Sequence, residues 1–279
     1  MATRSWPCKK KQNARRSLTK SVHKIYAAGM FVIAGFIVGF DTEKGSIADG
    51  MVDCIEEADI AICMAGLLTA LANTQLTARL TREGRMFPAT WQIQQANEGG
   101  RDQCTLGLNF ETLRPRRDVL ADYKSVIDRV YTPEAYFGRV TRAARRLDCF
   151  WPSRESNTKP AWRIAGFAAA DCAALFRLLR SVIIEQPLLL GYYIKALYVC
   201  ARENPGALNA VGIMATFYLH LGPFSRVVSQ AITRQIDEID SGRWQSPAAS
   251  IEAEMTGEDF LKRYKGETLE SQLGHSLHV

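Results

Sequence analysis

The stretch Gly29-Met30-Phe31-Val32-Ile33-Ala34-Gly35-Phe36-Ile37-Val38-Gly39-Phe40-Asp41 decides the fold. An apolar run that closes in a charged turn reads as a parallel strand, buried on both faces, leading into a ligand loop. Glycines weaken a strand unless something must approach its backbone closely, so Gly35 and Gly39 suggest a ligand wall. Upstream, Ser17 opens a helix with Val22, Ile25 and Tyr26 on one face, and Gly29 falls where a helix end accepts a left-handed residue. Downstream, after the turn from Asp41 to Gly45, Ser46 can cap a helix carrying Ile47, Met51, Val52, Ile55 and Ala58. A second apolar strand follows at Asp59 to Leu68, and Asn73 or Thr74 caps a helix that buries Leu76 and Leu80 and ends near Gly84. This alternation with short connections builds a parallel α/β sheet. Two strands do not hold such a sheet alone, so the pattern predicts an oligomer, a partner or part of a larger domain.

From Phe87 to Pro115 the pattern is irregular, with a polar turn at Asn97 to Gln103. Beyond it the chain reads as helical. Val119, Leu120, Tyr123, Val126, Ile127 and Val130 recur at helix spacing, and Thr132-Pro133-Glu134 supplies cap, first-turn proline and first-turn acid for another helix. A linker at Trp151 to Pro160 precedes helices at Ala168 to Val182, Leu188 to Arg202, Leu208 to Leu221 and Pro223 to Asp240, and the tail after Trp244 is polar. The fold class is α/β followed by all-α.

The chain is 47% hydrophobic and 23% charged with a net charge of +6, which is the composition of an ordinary folded protein. Basic residues cluster before Lys24, at Arg114, Arg116 and Arg117, and at Arg139, Arg142, Arg145 and Arg146. They imply a general pull toward anions, but no aromatics interleave them as nucleic-acid binding would require. The seven cysteines, at 8, 54, 63, 104, 149, 172 and 200, are scattered and odd in number. They read as reduced, buried thiols of a cytoplasmic protein, with no metal-ligand spacing. No secretory signal is predicted. Val182 to Cys200 and Ala207 to Phe224 are each interrupted by polar or charged residues, short of the ~20 clean apolar residues of a transmembrane span. A peripheral membrane contact and the oligomeric state stay open.

The runs Gln12 to Leu18, Val22 to Gly29, Gly35 to Asp41 and Gly66 to Leu76 resemble the latter part of radical S-adenosylmethionine enzymes. Among these the chain is most similar to the class with an N-terminal cobalamin-binding domain and a helical C-terminal domain, to which hopanoid methylases belong. Gly107 to Phe110, Leu113 to Arg117 and Tyr131 to Tyr136 are similar to that class's C-terminal extension. The resemblance covers residues from about 10 to about 240 and implies this organisation: an unmatched start at 1–9, the last strands of a partial radical SAM barrel at 10–90, a connecting loop at 91–117, a helical C-terminal domain at 118–243 and a polar tail at 244–279. It implies that Gly35 to Phe40 is the fifth of six strands, carrying a GxIxGxxE pattern against the adenine of S-adenosylmethionine. Gly35, Ile37 and Gly39 fit that pattern; its acidic position falls at Thr42, between Asp41 and Glu43. The end of the next strand, with Gly66 and Leu68, would also border the adenine.

The family's 4Fe–4S cluster needs cysteines spaced C-x3-C-x2-C, and this sequence has no such triplet. The resemblance therefore implies a portion of a cobalamin-dependent-type radical enzyme, acting by methyl transfer on a small or lipid-like substrate when intact and inactive alone. The alternative is a non-catalytic helical module that docks a partner or an apolar ligand through residues 182–224. His23 and His220 read as structural histidines, the latter in a core or interface. Arg114-Pro115-Arg116-Arg117 reads equally as an anion clamp or as a solvated helix start with an acidic neighbour. Glu56-Glu57 and Asp237-Glu238 read as solvated pairs.

Overall fold

The computed structural model describes residues 17–88, 103–148, 176–177, 180, 182–184 and 186–250. The start at 1–9, the polar turn up to residue 102, the linker at 151–160, the first part of the helix expected from Ala168, and the tail beyond residue 250 lie outside the described residues.

Helix α1 (Leu18–Tyr26) begins at Ser17, whose hydroxyl accepts the Lys20 amide at 3.3 Å, and Gly29 beyond it has a φ of +80°. Strand β1 (Ile33–Val38), helix α2 (Ala48–Glu57) and strand β2 (Ile62–Leu67) follow as a β-α-β unit, and the strands form a two-stranded parallel sheet. Helix α3 (Gln75–Arg82) is capped by Thr74, whose hydroxyl accepts the Thr77 amide at 3.2 Å. After the short α4 (Gln103–Leu106) come α5 (Arg116–Val130), α6 (Pro133–Arg146), α7 (Leu190–Glu203) and α8 (Leu208–Asp240). Thr132 caps α6 by accepting the Ala135 amide at 3.2 Å, as its sequence predicts.

Two local expectations are corrected and one is extended. Strand β1 is not buried on both faces: Ile33, Gly35 and Ile37 are exposed, because among the described residues no second layer covers that face. The start of α2 is capped by Ser46, whose hydroxyl accepts the Ala48 amide at 3.4 Å, together with Asp122, which accepts the Ile47 amide at 3.1 Å and the Ser46 hydroxyl at 2.6 Å. The two helices expected on either side of Pro223 are one, α8. Pro223 has no N–H for the Leu219 carbonyl, and the Gln186 side-chain amide donates to that carbonyl instead, at 3.1 Å.

The chain divides into two compact units: Met1–Phe36, Lys44–Ala65 and Asp122–Ala231 form the first, and Ile37–Glu43, Gly66–Ala121 and Ile232–Val279 form the second. At the centre of the first is Arg139, 0% exposed. Its guanidinium donates to the Ile60 carbonyl at 2.8 Å, to the Val130 carbonyl at 2.6 Å and to the Glu56 carboxylate. Beside it, Arg142 bonds both Glu56 and Asp59, and Arg146 bonds Asp59 at 2.7 Å. Asp59 is itself buried, with a left-handed φ of 55°. The basic run on α6 is thus neutralised from within, Arg145 included, which pairs with Glu203. Glu56 is an internal ion-pair partner and not a solvated acid.

Tyrosine hydroxyls close the rest of this unit. Tyr123 and Tyr131 donate to the Ala65 and Cys63 carbonyls of β2, and Tyr26 donates to the Asp59 carbonyl at 2.8 Å. Carbonyls two residues apart lie on one edge of a strand, so side chains from the α5 segment seal an edge that another strand would otherwise fill. Burial pushes the Tyr131 and Tyr136 hydroxyls well above their ordinary pKa, which keeps them as donors.

Replacing Arg139 by Met leaves the Ile60 and Val130 carbonyls unpaired in a dry interior. The expected cost in urea denaturation is about 3–5 kcal/mol, against under ~1 kcal/mol for Arg145→Met at its exposed pair. Equal losses would contradict the central role of Arg139.

Candidate functional site

Ligands of parallel α/β units gather at the carboxyl ends of the strands. Here those ends and the loops that follow, 37–43 and 66–74, fall in the second unit. Gly39 is buried with a φ of +110°, and a Cβ there would lie 2.6 Å from Leu108 Cδ2. The positive φ, with Leu108 packed close beside it, favours glycine here. The amides of Gly39 and Phe40 both donate to one oxygen of Glu43, at 2.9 and 3.0 Å, while the other oxygen faces Arg114 at 3.4 Å.

Of the two acids flanking Thr42, Glu43 turns back onto the strand end, and Asp41 turns to Arg85 and Arg79, at 2.6 and 2.7 Å. Burial raises the Asp41 pKa, but the hydrogen bonds and charge of Arg85, joined by Arg79, outweigh it and hold the carboxyl below its ordinary value.

The Leu68 backbone is also committed. Its N–H donates to the Val38 carbonyl at 2.8 Å and its carbonyl accepts from Leu108 at 2.7 Å, while its side chain is buried. The segment after α4 lies against β2 so closely that a Cβ on Gly107 would stand 2.1 Å from Leu67 Cβ. Next to it, the buried Asn109 side chain accepts the Ala70 amide at 2.8 Å and donates to the Ala70 carbonyl at 3.0 Å. The side-chain amide thus substitutes for a strand neighbour.

The expected adenine-side residues separate accordingly. Gly35 and Ile37 are exposed on alternate positions of β1, Gly66 is half-buried on β2, and nothing lies within 4 Å of a Cβ built on Gly35. Gly39 and Leu68 are taken up by internal packing.

The Arg114 to Arg117 cluster is not a free anion clamp. Arg117 pairs with Asp240 at 2.7 and 3.1 Å. Arg116 is buried, donates to the Leu108 carbonyl at 2.7 Å, and lies over the Phe87 and Trp244 rings at 5.7 and 5.3 Å. Burial pushes its pKa down to about 10. The acidic neighbours anticipated for a basic helix start are Glu43 and Asp240.

Among the described residues no three His, Cys, Asp or Glu side chains stand close enough to hold a metal ion. Cys63 is buried, which pushes its thiol up to about 11, and Cys54 and Cys104 are half-buried on other elements. The described cysteines do not fit a 4Fe–4S cluster. His23 stands 3.6 Å from Asp59 in a structural position, whereas His220 is exposed and stacks on Phe224 at 5.7 Å. Residue-by-residue reading missed the roles of Glu43, Asn109 and Arg116. The one local signal was a polar Asn between Leu108 and Phe110.

A family model described as domain of unknown function (DUF4070) matches residues 74–234. The chain is 30% identical over 237 residues to an uncharacterized methyltransferase of Synechocystis sp., a match covering 85% of this chain and 41% of that protein. It is 30% identical over 130 residues to the hopanoid C-2 methylase of Rhodopseudomonas palustris, covering 47% of this chain and 22% of that protein. The chain thus spans about two fifths of the length of the first relative. No solved structure matches it.

The two β1 glycines separate by mutation. Gly39→Ala meets both Leu108 and a left-handed backbone and is expected to lose about 2–4 kcal/mol in urea denaturation, whereas Gly35→Ala should change stability by under ~0.5 kcal/mol. Comparable losses would show that Gly35 is also a packing residue.

Proposed function

The chain belongs to the DUF4070 family, and from that premise we propose that it forms the adenine-facing wall and the helical part of a radical S-adenosylmethionine methylase of the cobalamin-dependent type. The β-α-β unit carries this reading. Strand β1 presents Gly35 and Ile37 on its open side, where a flat base can lie on glycine backbone and against an apolar side chain. The sealed edge of β2 and the edge of β1 away from it support reading the pair as the last strands of a larger parallel barrel. The relatives' names, a methyltransferase and a hopanoid C-2 methylase, support methyl transfer to a lipid-like acceptor.

Bound S-adenosylmethionine, with its cluster, supplies the group-transfer and radical chemistry. The residues of this chain do less: Ile37, Gly35 and Gly66 hold the adenine side, and Glu43 fixes the loop beyond β1 by taking the Gly39 and Phe40 amides. The cluster ligands come from outside this sequence, which has no C-x3-C-x2-C triplet, and no residue here is assigned to cobalamin. The chain alone does not start the reaction.

Photolabelling of the chain with an 8-azidoadenine analogue of S-adenosylmethionine tests this reading. The expected label falls on the peptide containing residues 33–41, is competed by S-adenosylmethionine, and weakens about tenfold in Ile37→Glu, a change at an exposed position. Labelling elsewhere, or none, would favour the non-catalytic binding module.

A further inference from the structure

Helices α7 and α8 keep their inner faces on α6: the Phe137 ring lies 4.7 Å from Tyr193 and 5.1 Å from Tyr218, and the Tyr136 hydroxyl donates to the Met214 carbonyl at 2.7 Å. Their outer faces are apolar as well. On α7, Ile194 and Tyr198, four residues apart on one face, are exposed, and on α8 so are Ile213 and Phe217. In the segment leading into α7, Ile184 is exposed and Leu188 is 93% exposed. Between them in sequence, Gln186 is bonded to the Leu219 carbonyl, which anchors this segment to the middle of α8. Apolar residues gathered outward in this way mark an interaction surface.

Among the described residues the charges around them are mostly cationic, with Glu134 of α6 accepting the Tyr192 hydroxyl of α7. Arg177, Arg180, Lys195, Arg202 and Arg226 are all exposed, and Glu203, the acid among the described residues from 176 to 231, is already paired with Arg145. Helix α8 is long and apolar enough to cross a membrane by length and composition, yet its buried stripe is occupied by α6. Such a helix offers one face only, and an apolar face with cationic flanks suits the plane of a lipid headgroup region.

We propose that this outer surface of α7 and α8, with Leu188 at its edge, docks the chain peripherally on an anionic lipid bilayer. The inference stands on the surface alone and not on the proposed reaction. Leu188 and Ile184 enter the acyl boundary, while Lys195, Arg202 and Arg226 meet anionic headgroups.

The test is flotation of the full chain with vesicles of phosphatidylcholine alone and of phosphatidylcholine with phosphatidylglycerol. Binding is expected only to the second, falling as salt rises. Leu188→Glu should abolish it, Lys195→Glu with Arg226→Glu should weaken it at least ~20-fold, and Leu113→Glu, at an exposed residue that is not part of the proposed surface, should leave it unchanged. Equal binding to both vesicles, no binding, or a chain dimer broken by Leu188→Glu in place of lipid binding would overturn the proposal.

Discussion

A guanidinium removed from solvent costs several kcal/mol unless it is paired, and each of the three nitrogens of the buried Arg139 donates a hydrogen bond. Its three partners lie in three places: the carbonyl that starts the approach to β2, the last residue of α5, and the carboxylate near the end of α2. One side chain therefore fixes where β2 begins relative to the helices that cover it. Asp59, held in a left-handed turn by Arg142 and Arg146, makes the same junction from the acidic side. A substitution that frees Arg139 would loosen the α2–β2 turn on which the sheet depends.

The two edges of this sheet are treated differently. Beside β2, tyrosine hydroxyls supply the partners a further strand would bring, and Asn109 continues the substitution one step past the strand end. The edge of β1 away from β2 has no strand partner among the described residues. This asymmetry supports a sheet that ends at β2 and is completed beyond β1, as in the proposed cofactor barrel. At the strand ends the charged groups already have internal partners, so Gly35 and Ile37 offer shape and apolar contact in place of charge.

Local features were legible in the sequence because local physics decides them. The caps at Ser17, Thr74 and Thr132 and the left-handed Gly29 follow from residue type and spacing. What was not legible depends on partners far along the chain. Pro223 fails to break α8 because Gln186, 33 residues from Leu219, takes the released carbonyl. Ser46 shares its cap with Asp122, 76 residues away, and the arginines of α6 lose their free charge to acids about 83 residues distant. The spacing of Gly39 matches a cofactor pattern, while its close neighbour Leu108, which lies in an irregular segment, was not legible.

The proposed division of labour, an adenine wall in this chain and a cluster held by other residues, is tested most directly by anaerobic reconstitution with iron and sulfide, followed by metal counting and electron paramagnetic resonance. The expected result is no stoichiometric 4Fe–4S cluster. About four irons and four sulfides per chain with a cluster signal would contradict it, because the scattered cysteines would then assemble a site of their own.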